Sequence, residues 1–303
     1  MSCNESGKYA IFLSDRYGFN NPDSEWDLSK TKWVLTGDSF TQGACVNPGE
    51  EIPGQIRSIT GESVINLGNA GNGPLIELAV LKEYAESIKP KIVLWMYYEN
   101  DLGNLKKEKS VPLLMRYLEP EFSQNLIHRQ TDIDDRLEGY IAEKEVTAEK
   151  EATSEKEATS EKIKYFESTE VLRLYNIRQA LGLDFSGAYP LALFSEILTK
   201  ARDRTAAIGG RLYFVSLPHI SRYKKGAITS SLYGRSRKVI NIAKDLEIPV
   251  IDIHREVFAD HPDPLSLWPF RKFAHYTAEG YSEVAKAIVS AVRREQQGYS
   301  REN

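Results

Sequence analysis

Cysteine is nearly absent: Cys3 and Cys45 are the whole supply in 303 residues. No Cys-x-x-Cys occurs and the five histidines do not cluster. The pattern therefore points to neither a disulfide framework nor a zinc site, and Cys45 reads as a packed side chain. An excess of positive charge is missing too. With 39 Lys and Arg against 43 Asp and Glu, the formal net charge is -4, and the cations are scattered among carboxylates, which excludes the footprint of a nucleic-acid partner. No apolar run reaches the roughly 18 residues of a membrane span, and the charged-then-apolar layout of a secretory leader is lacking. The default is a soluble, cytoplasmic chain. Its abrupt polar start, Met1 to Ser6, still leaves room for an upstream leader that would send it to the cell envelope. Neither a Gly-x-Gly-x-x-Gly nor a Gly-Lys-Ser phosphate loop marks the glycine-rich stretch, and no cofactor is called for.

What is present is an alternation of short apolar runs with helical periodicity. Strands are expected at Trp33 to Leu35, Ser63 to Leu67, Lys91 to Tyr97, Arg211 to Leu217 and Ile248 to Ile253, each a β-branched or aromatic run of buried type. Helices are expected at Glu50 to Ser58, Leu75 to Ile88, Leu191 to Ile208, Arg235 to Leu246 and Thr277 to Arg293. This βα alternation predicts one domain, a three-layer α/β/α sandwich with a central parallel sheet of flavodoxin-like type. Residues 105–190 interrupt it as a charged helical insertion, inside which a hexapeptide repeat spans 143–162. Six residues advance a helix by about 600°, so the repeat lines up no apolar stripe; it reads as a solvated or disordered excursion without chemistry.

Chemistry gathers where the strands end. Gly37-Asp38-Ser39 follows the first strand at a turn that a side chain would resist, which puts the Ser39 hydroxyl at the carboxyl edge of the sheet. The second strand runs into Gly68-Asn69-Ala70-Gly71-Asn72-Gly73-Pro74, whose amides are free to face an anion or a developing oxyanion at the start of the next helix. The third ends at Tyr98-Glu99-Asn100-Asp101. His275 stands just ahead of the last helix, where a serine hydrolase needs an imidazole. Tyr17 and Phe19 read as packing across the sheet edge. Trp268-Pro269-Phe270 reads as a packed wall in preference to a sugar platform, and His219, His254 and His261 read as structural or solvent-facing.

Taken in order, these residues resemble the four blocks of the SGNH (GDSL-like) hydrolases: Gly37-Asp38-Ser39-Phe40, Asn69-Ala70-Gly71, Asn100-Asp101, and His275 with Tyr276-Thr277-Ala278-Glu279-Gly280-Tyr281. The resemblance implies Ser39 as nucleophile and His275 as general base. It implies an oxyanion hole from the amides of Ser39 and Gly71 and the side chain of Asn100, with no metal or cofactor. Ester hydrolysis through an acyl-serine follows, on short-chain esters, lipids or O-acylated glycans, the last being favoured. Two positions depart from the family pattern. Tyr98 replaces the third block's glycine, and Lys272 stands where an aspartate usually precedes the histidine by three. Asp263 is the expected substitute, with Asp252 or a backbone carbonyl left open. Two rivals also stay open: an acyltransferase using the same serine, and a non-catalytic carbohydrate-binding relic of the fold. The oligomeric state is not written in the sequence.

Overall fold

The computed structural model describes residues 3–28, 31–157, 189–224, 230–272 and 275–302. The chain divides into two compact units, one formed by 1–124 with 189–303 and the other by 125–188.

In the first unit the apolar runs form five parallel strands: β1 (Trp33–Gly37), β2 (Val64–Asn66), β3 (Ile92–Tyr97), β4 (Arg211–Ser216) and β5 (Val250–Asp252), in the order β2-β1-β3-β4-β5. Every residue of β1, β2 and β3 is buried. That is why these strands read as continuous hydrophobic runs: helices cover both faces of a parallel sheet. On one face Trp33, Leu35, Leu94, Met96, Tyr213 and Val215 pack with Ile52 and Ile56 of helix α2 (Ile52–Thr60) and with the apolar stripe of the last helix, Val284, Ile288 and Val292. On the other, Tyr97 and Phe214 meet Phe194 with ring centroids 5.8 and 6.3 Å apart.

The order 2-1-3-4-5 reverses direction between β1 and β3, and in open α/β sheets ligands bind at that switch. A four-residue helix, α1 (Ser39–Gln42), leaves β1 there. Helix α3 (Pro74–Val80) follows β2 and continues through a π-helical turn to Ile88, and α4 (Asp101–Glu108) follows β3. Helices Leu191–Ala207, Ser230–Asp245 and Ala278–Glu302 complete the layers.

Two expectations need correction. Cys3 and Cys45 are joined as a disulfide, with Cα atoms 4.9 Å apart; a pair separated by 42 residues gives no spacing motif, so composition alone passed over it. The expected insertion also begins too early. Leu105 and Tyr117 are buried, the Tyr117 hydroxyl donates to Glu83 at 2.7 Å, and Lys82 Nζ donates to the carbonyl of Glu119 at 2.8 Å, so residues up to 124 belong with the sheet. The charge of this stretch concealed its buried members, Leu105, Glu108 and Tyr117.

The second unit contains the helix Gln130–Glu157, whose side chains from 134 to 145 are exposed. The rest of the hexapeptide repeat, beyond Glu157, lies outside the described residues. Among the described residues no helix is long and apolar enough to cross a membrane.

Candidate active site

Ser39 sits where β1 becomes α1, and the junction is tight for steric reasons. A Cβ on Gly37 would run into Thr41 Oγ1 and come within 2.9 Å of Met96 Cβ; one on Gly68 would lie 2.5 Å from Thr41 Cβ. Asp38 caps α1, its Oδ1 accepting from the Phe40 amide at 2.9 Å, and Gly43 closes it in the left-handed region at φ +86°. As the first residue of that helix, Ser39 keeps an amide with no intrahelical acceptor.

The last helix brings in the imidazole. Thr277 caps it through the Gly280 amide at 3.1 Å, and the buried Tyr276 and Tyr281 donate to the carbonyls of Pro218 and Ala44, both at 3.2 Å. The second bond ties this helix to the loop that follows Ser39. His275 Nε2 lies 2.8 Å from Ser39 Oγ. On its far side His275 Nδ1 lies 3.0 Å from Glu5 Oε1, and the His275 amide donates to Glu5 Oε2 at 3.1 Å. A carboxylate can only accept, so Nδ1 carries the proton and Nε2 turns its lone pair to the serine hydroxyl. Burial pushes the Glu5 carboxyl up, but the hydrogen bonds and charge of His275 outweigh it and hold the group below its ordinary value.

Glu5 is the residue that sequence reasoning missed. The expected partner, Asp263, is turned elsewhere: its two oxygens accept from Arg271 at 2.9 and 2.6 Å. Asp252 Oδ1 accepts from the His254 amide at 3.1 Å. A guanidinium eight residues along the same loop outcompetes an imidazole for Asp263.

Gly71 adopts φ +85° in the exposed loop after β2, a conformation that L side chains rarely take. Gln42 ties this loop to α1, donating to Asn69 Oδ1 at 3.0 Å and accepting from the Ala70 amide at 3.2 Å. The expectation that amides at the start of α3 face the site is not met. Glu108 accepts from Gly73 N at 2.7 Å and Leu75 N at 3.0 Å, so that helix end is already occupied by a carboxylate. Asn100 is exposed at the start of α4. Asp101 anchors the same turn, Oδ2 accepting from Tyr98 N at 2.8 Å. Tyr98, in the glycine position of the third block, does not narrow the cleft. It is buried against Phe40, ring centroids 4.1 Å apart, beneath the serine.

Ser39 and His275 line a cleft of about 490 Å³ together with Phe12, Gln42, Ala44 and Ala70. Behind it lie four buried carboxyl groups, Asp38, Glu77, Asp101 and Glu108. Burial pushes all four up; the charges of Asp38 and Glu108 add to it for Glu77, and those of Glu77 and Asp38 for Asp101. Trp268 packs against Phe258 and Tyr276 and is a wall, as expected, while Phe270 is exposed. Among the described residues, the group with metal-ligand geometry is Cys3, Glu5 and Cys45, and the disulfide withholds its thiolates.

No protein-family model matches the chain, and no curated protein sequence does. Among solved structures it is similar to the lipase/acylhydrolase from Enterococcus faecalis, at TM-score 0.50 and 13% identity over 88% of this chain and 96% of that one. Lower scores of 0.46 relate it to a member of the lipolytic protein G-D-S-L family from Veillonella parvula, 14% identical over 86% and 97% of the two chains. The same score relates it to Axe2, an acetylxylan esterase from Geobacillus stearothermophilus, 15% identical over 86% and 94%. With its five-stranded parallel sheet in this order and that likeness, the chain has the α/β fold of the SGNH hydrolases.

Proposed function

We propose that the protein is a serine ester hydrolase working through an acyl-serine intermediate. The observation that carries this reading is the 2.8 Å approach of His275 Nε2 to Ser39 Oγ inside a cleft at the carboxyl edge of the sheet. In attack, Ser39 Oγ adds to the ester carbonyl while Nε2 takes its proton. As the tetrahedral intermediate collapses, the imidazolium returns that proton to the leaving alcohol. Water then enters, Nε2 acts as base again, and the acid departs. The Ser39 and Gly71 amides and the Asn100 side chain are the donors proposed for the oxyanion, each worth on the order of 3 kcal/mol where such donors have been removed.

The substrate we favour is a short O-acyl group on a carbohydrate. A cleft of this volume, lined by Ala44 and Ala70, suits a small acyl group, and Ser14 and Gln42 offer hydrogen bonds to a hydroxylated alcohol portion. A binding relic would have no use for an imidazole held between a hydroxyl and a carboxylate. A fluorophosphonate probe tests the reading: labelling at Ser39 that vanishes in Ser39→Ala, alongside hydrolysis of p-nitrophenyl acetate, is the expected outcome. An unlabelled, inactive wild type refutes it.

A further inference from the structure

The segment that carries Glu5 belongs to no regular element. From Cys3 to Ala10 it makes one turn, closed by the Gly7 amide on the Asn4 carbonyl at 2.8 Å and the Ala10 amide on the Cys3 carbonyl at 2.9 Å. Its neighbours Asn4, Ser6, Gly7, Lys8 and Tyr9 are exposed. Nothing in such a turn fixes a carboxylate to hydrogen-bonding tolerance by packing alone. It is pinned at one end by the buried Ala10 and at the other by the Cys3–Cys45 bond. Cys45 is itself buried, in the left-handed region at φ +72°, and its Sγ lies 3.5 Å from His275 Nδ1. The disulfide therefore ends beside the very nitrogen that Glu5 engages.

We infer that Glu5 is the positioning carboxylate for His275 and that the Cys3–Cys45 disulfide holds it there, so that turnover depends on the oxidised state of this cysteine pair. The inference rests on the ester-hydrolase reading for its kinetic test. Glu5 is not among the residues that line the cleft. It acts through the imidazole, fixing the Nδ1–H tautomer and facing the positive charge that forms when Nε2 takes the serine proton. Reduction is balanced by a dithiol: two electrons and two protons pass to the S–S bond, the reductant closes to its own disulfide, and Cys3 and Cys45 become thiols. The turn then keeps one anchor, and the local concentration of Glu5 at His275 falls.

The test compares wild type, Glu5→Gln, Glu5→Asp and Cys3→Ser on p-nitrophenyl acetate, with and without dithiothreitol. EDTA is present because two free thiols beside Glu5 would hold zinc. Glu5→Gln is expected to lose kcat on the order of 10³-fold, with KM within threefold of wild type, and Glu5→Asp to recover part of it. Dithiothreitol is expected to lower wild-type kcat by about 10- to 100-fold. Cys3→Ser should start at that lowered value and not respond further. Nitrogen-15 spectra of His275 read the same contact without turnover, showing a protonated Nδ1 in wild type that is lost in Glu5→Gln. An active wild type whose Glu5→Gln variant keeps kcat within threefold overturns the positioning role. Unchanged kcat after both thiols are shown to be free overturns the tether. An inert wild type with the Nδ1 signature intact overturns the ester reading and supports the contact.

Discussion

Replacing Gly37 by alanine tests how strictly the strand-to-helix junction holds the serine. The added Cβ would stand 2.9 Å from Met96 Cβ and 3.0 Å from the Met96 carbonyl oxygen, besides meeting Thr41 Oγ1. Carbon atoms rest at about 3.5 Å or more, so β1 and β3 must part locally by roughly 0.6 Å or the turn must rotate. Met96 pairs with Gly37 across the ladder and cannot yield without disturbing β3, so the displacement passes into Asp38 and Ser39. Overpacking of this kind costs about 1–3 kcal/mol of stability. Reacting groups tolerate roughly 0.5 Å, and a misplacement of about 1 Å costs on the order of 10²-fold in rate. The expected outcome is therefore a kcat for p-nitrophenyl acetate down about 100-fold, with a urea midpoint lowered by that stability loss. Gly103→Ala is the control: no atom lies within 4 Å of its Cβ position inside α4, so helix propensity should gain up to about 1 kcal/mol with kcat unchanged. A Gly37→Ala enzyme with kcat within threefold of wild type would refute the argument that this contact holds Ser39.

Asp263→Asn should leave kcat within twofold, because its ion pair with Arg271 is exposed on both sides and worth at most about 1 kcal/mol; a tenfold fall would return Asp263 to the site. Tyr98→Phe should keep or slightly raise the melting temperature, because the buried hydroxyl finds no hydrogen-bond partner among the described residues; a drop beyond about 5 °C would show that it has one. Burial, then the charges of Asp38 and Glu108, raise the Glu77 carboxyl above 4.5, so the folded chain binds a proton there that the unfolded chain has released. Stability is thus lost as pH climbs from the unfolded value through the raised one. Glu77→Gln should flatten that loss as pH rises above 4.5 in urea titrations, and identical slopes for the two proteins would contradict it.

The sheet was legible in the sequence because its strands are buried almost throughout, β5 at one edge being partly exposed, and runs such as Ile92-Val93-Leu94-Trp95-Met96 read as buried strand. The serine and the histidine were legible because each sits in a local context, Gly-Asp-Ser after a strand and His before a capped helix. Glu5 has no such context. It is one carboxylate in a polar turn, placed by a covalent bond to a residue 42 positions away from Cys3, and neither period nor propensity records a partner of that kind. Glu108 was hidden similarly: in the sequence it ends a charged helix, whereas in the fold it neutralises the start of another. Asp263 lies near His275 in sequence, but it lies nearer still to Arg271, which takes both of its oxygens.

The serine oxygen and the nitrogen beside it come from positions 236 residues apart. Closing so long a loop is among the last gains a folding chain makes, since its entropy is spent before any contact returns it. A partly folded chain would therefore keep Ser39 and His275 apart until the helix bearing Tyr281 settles onto the carbonyl of Ala44.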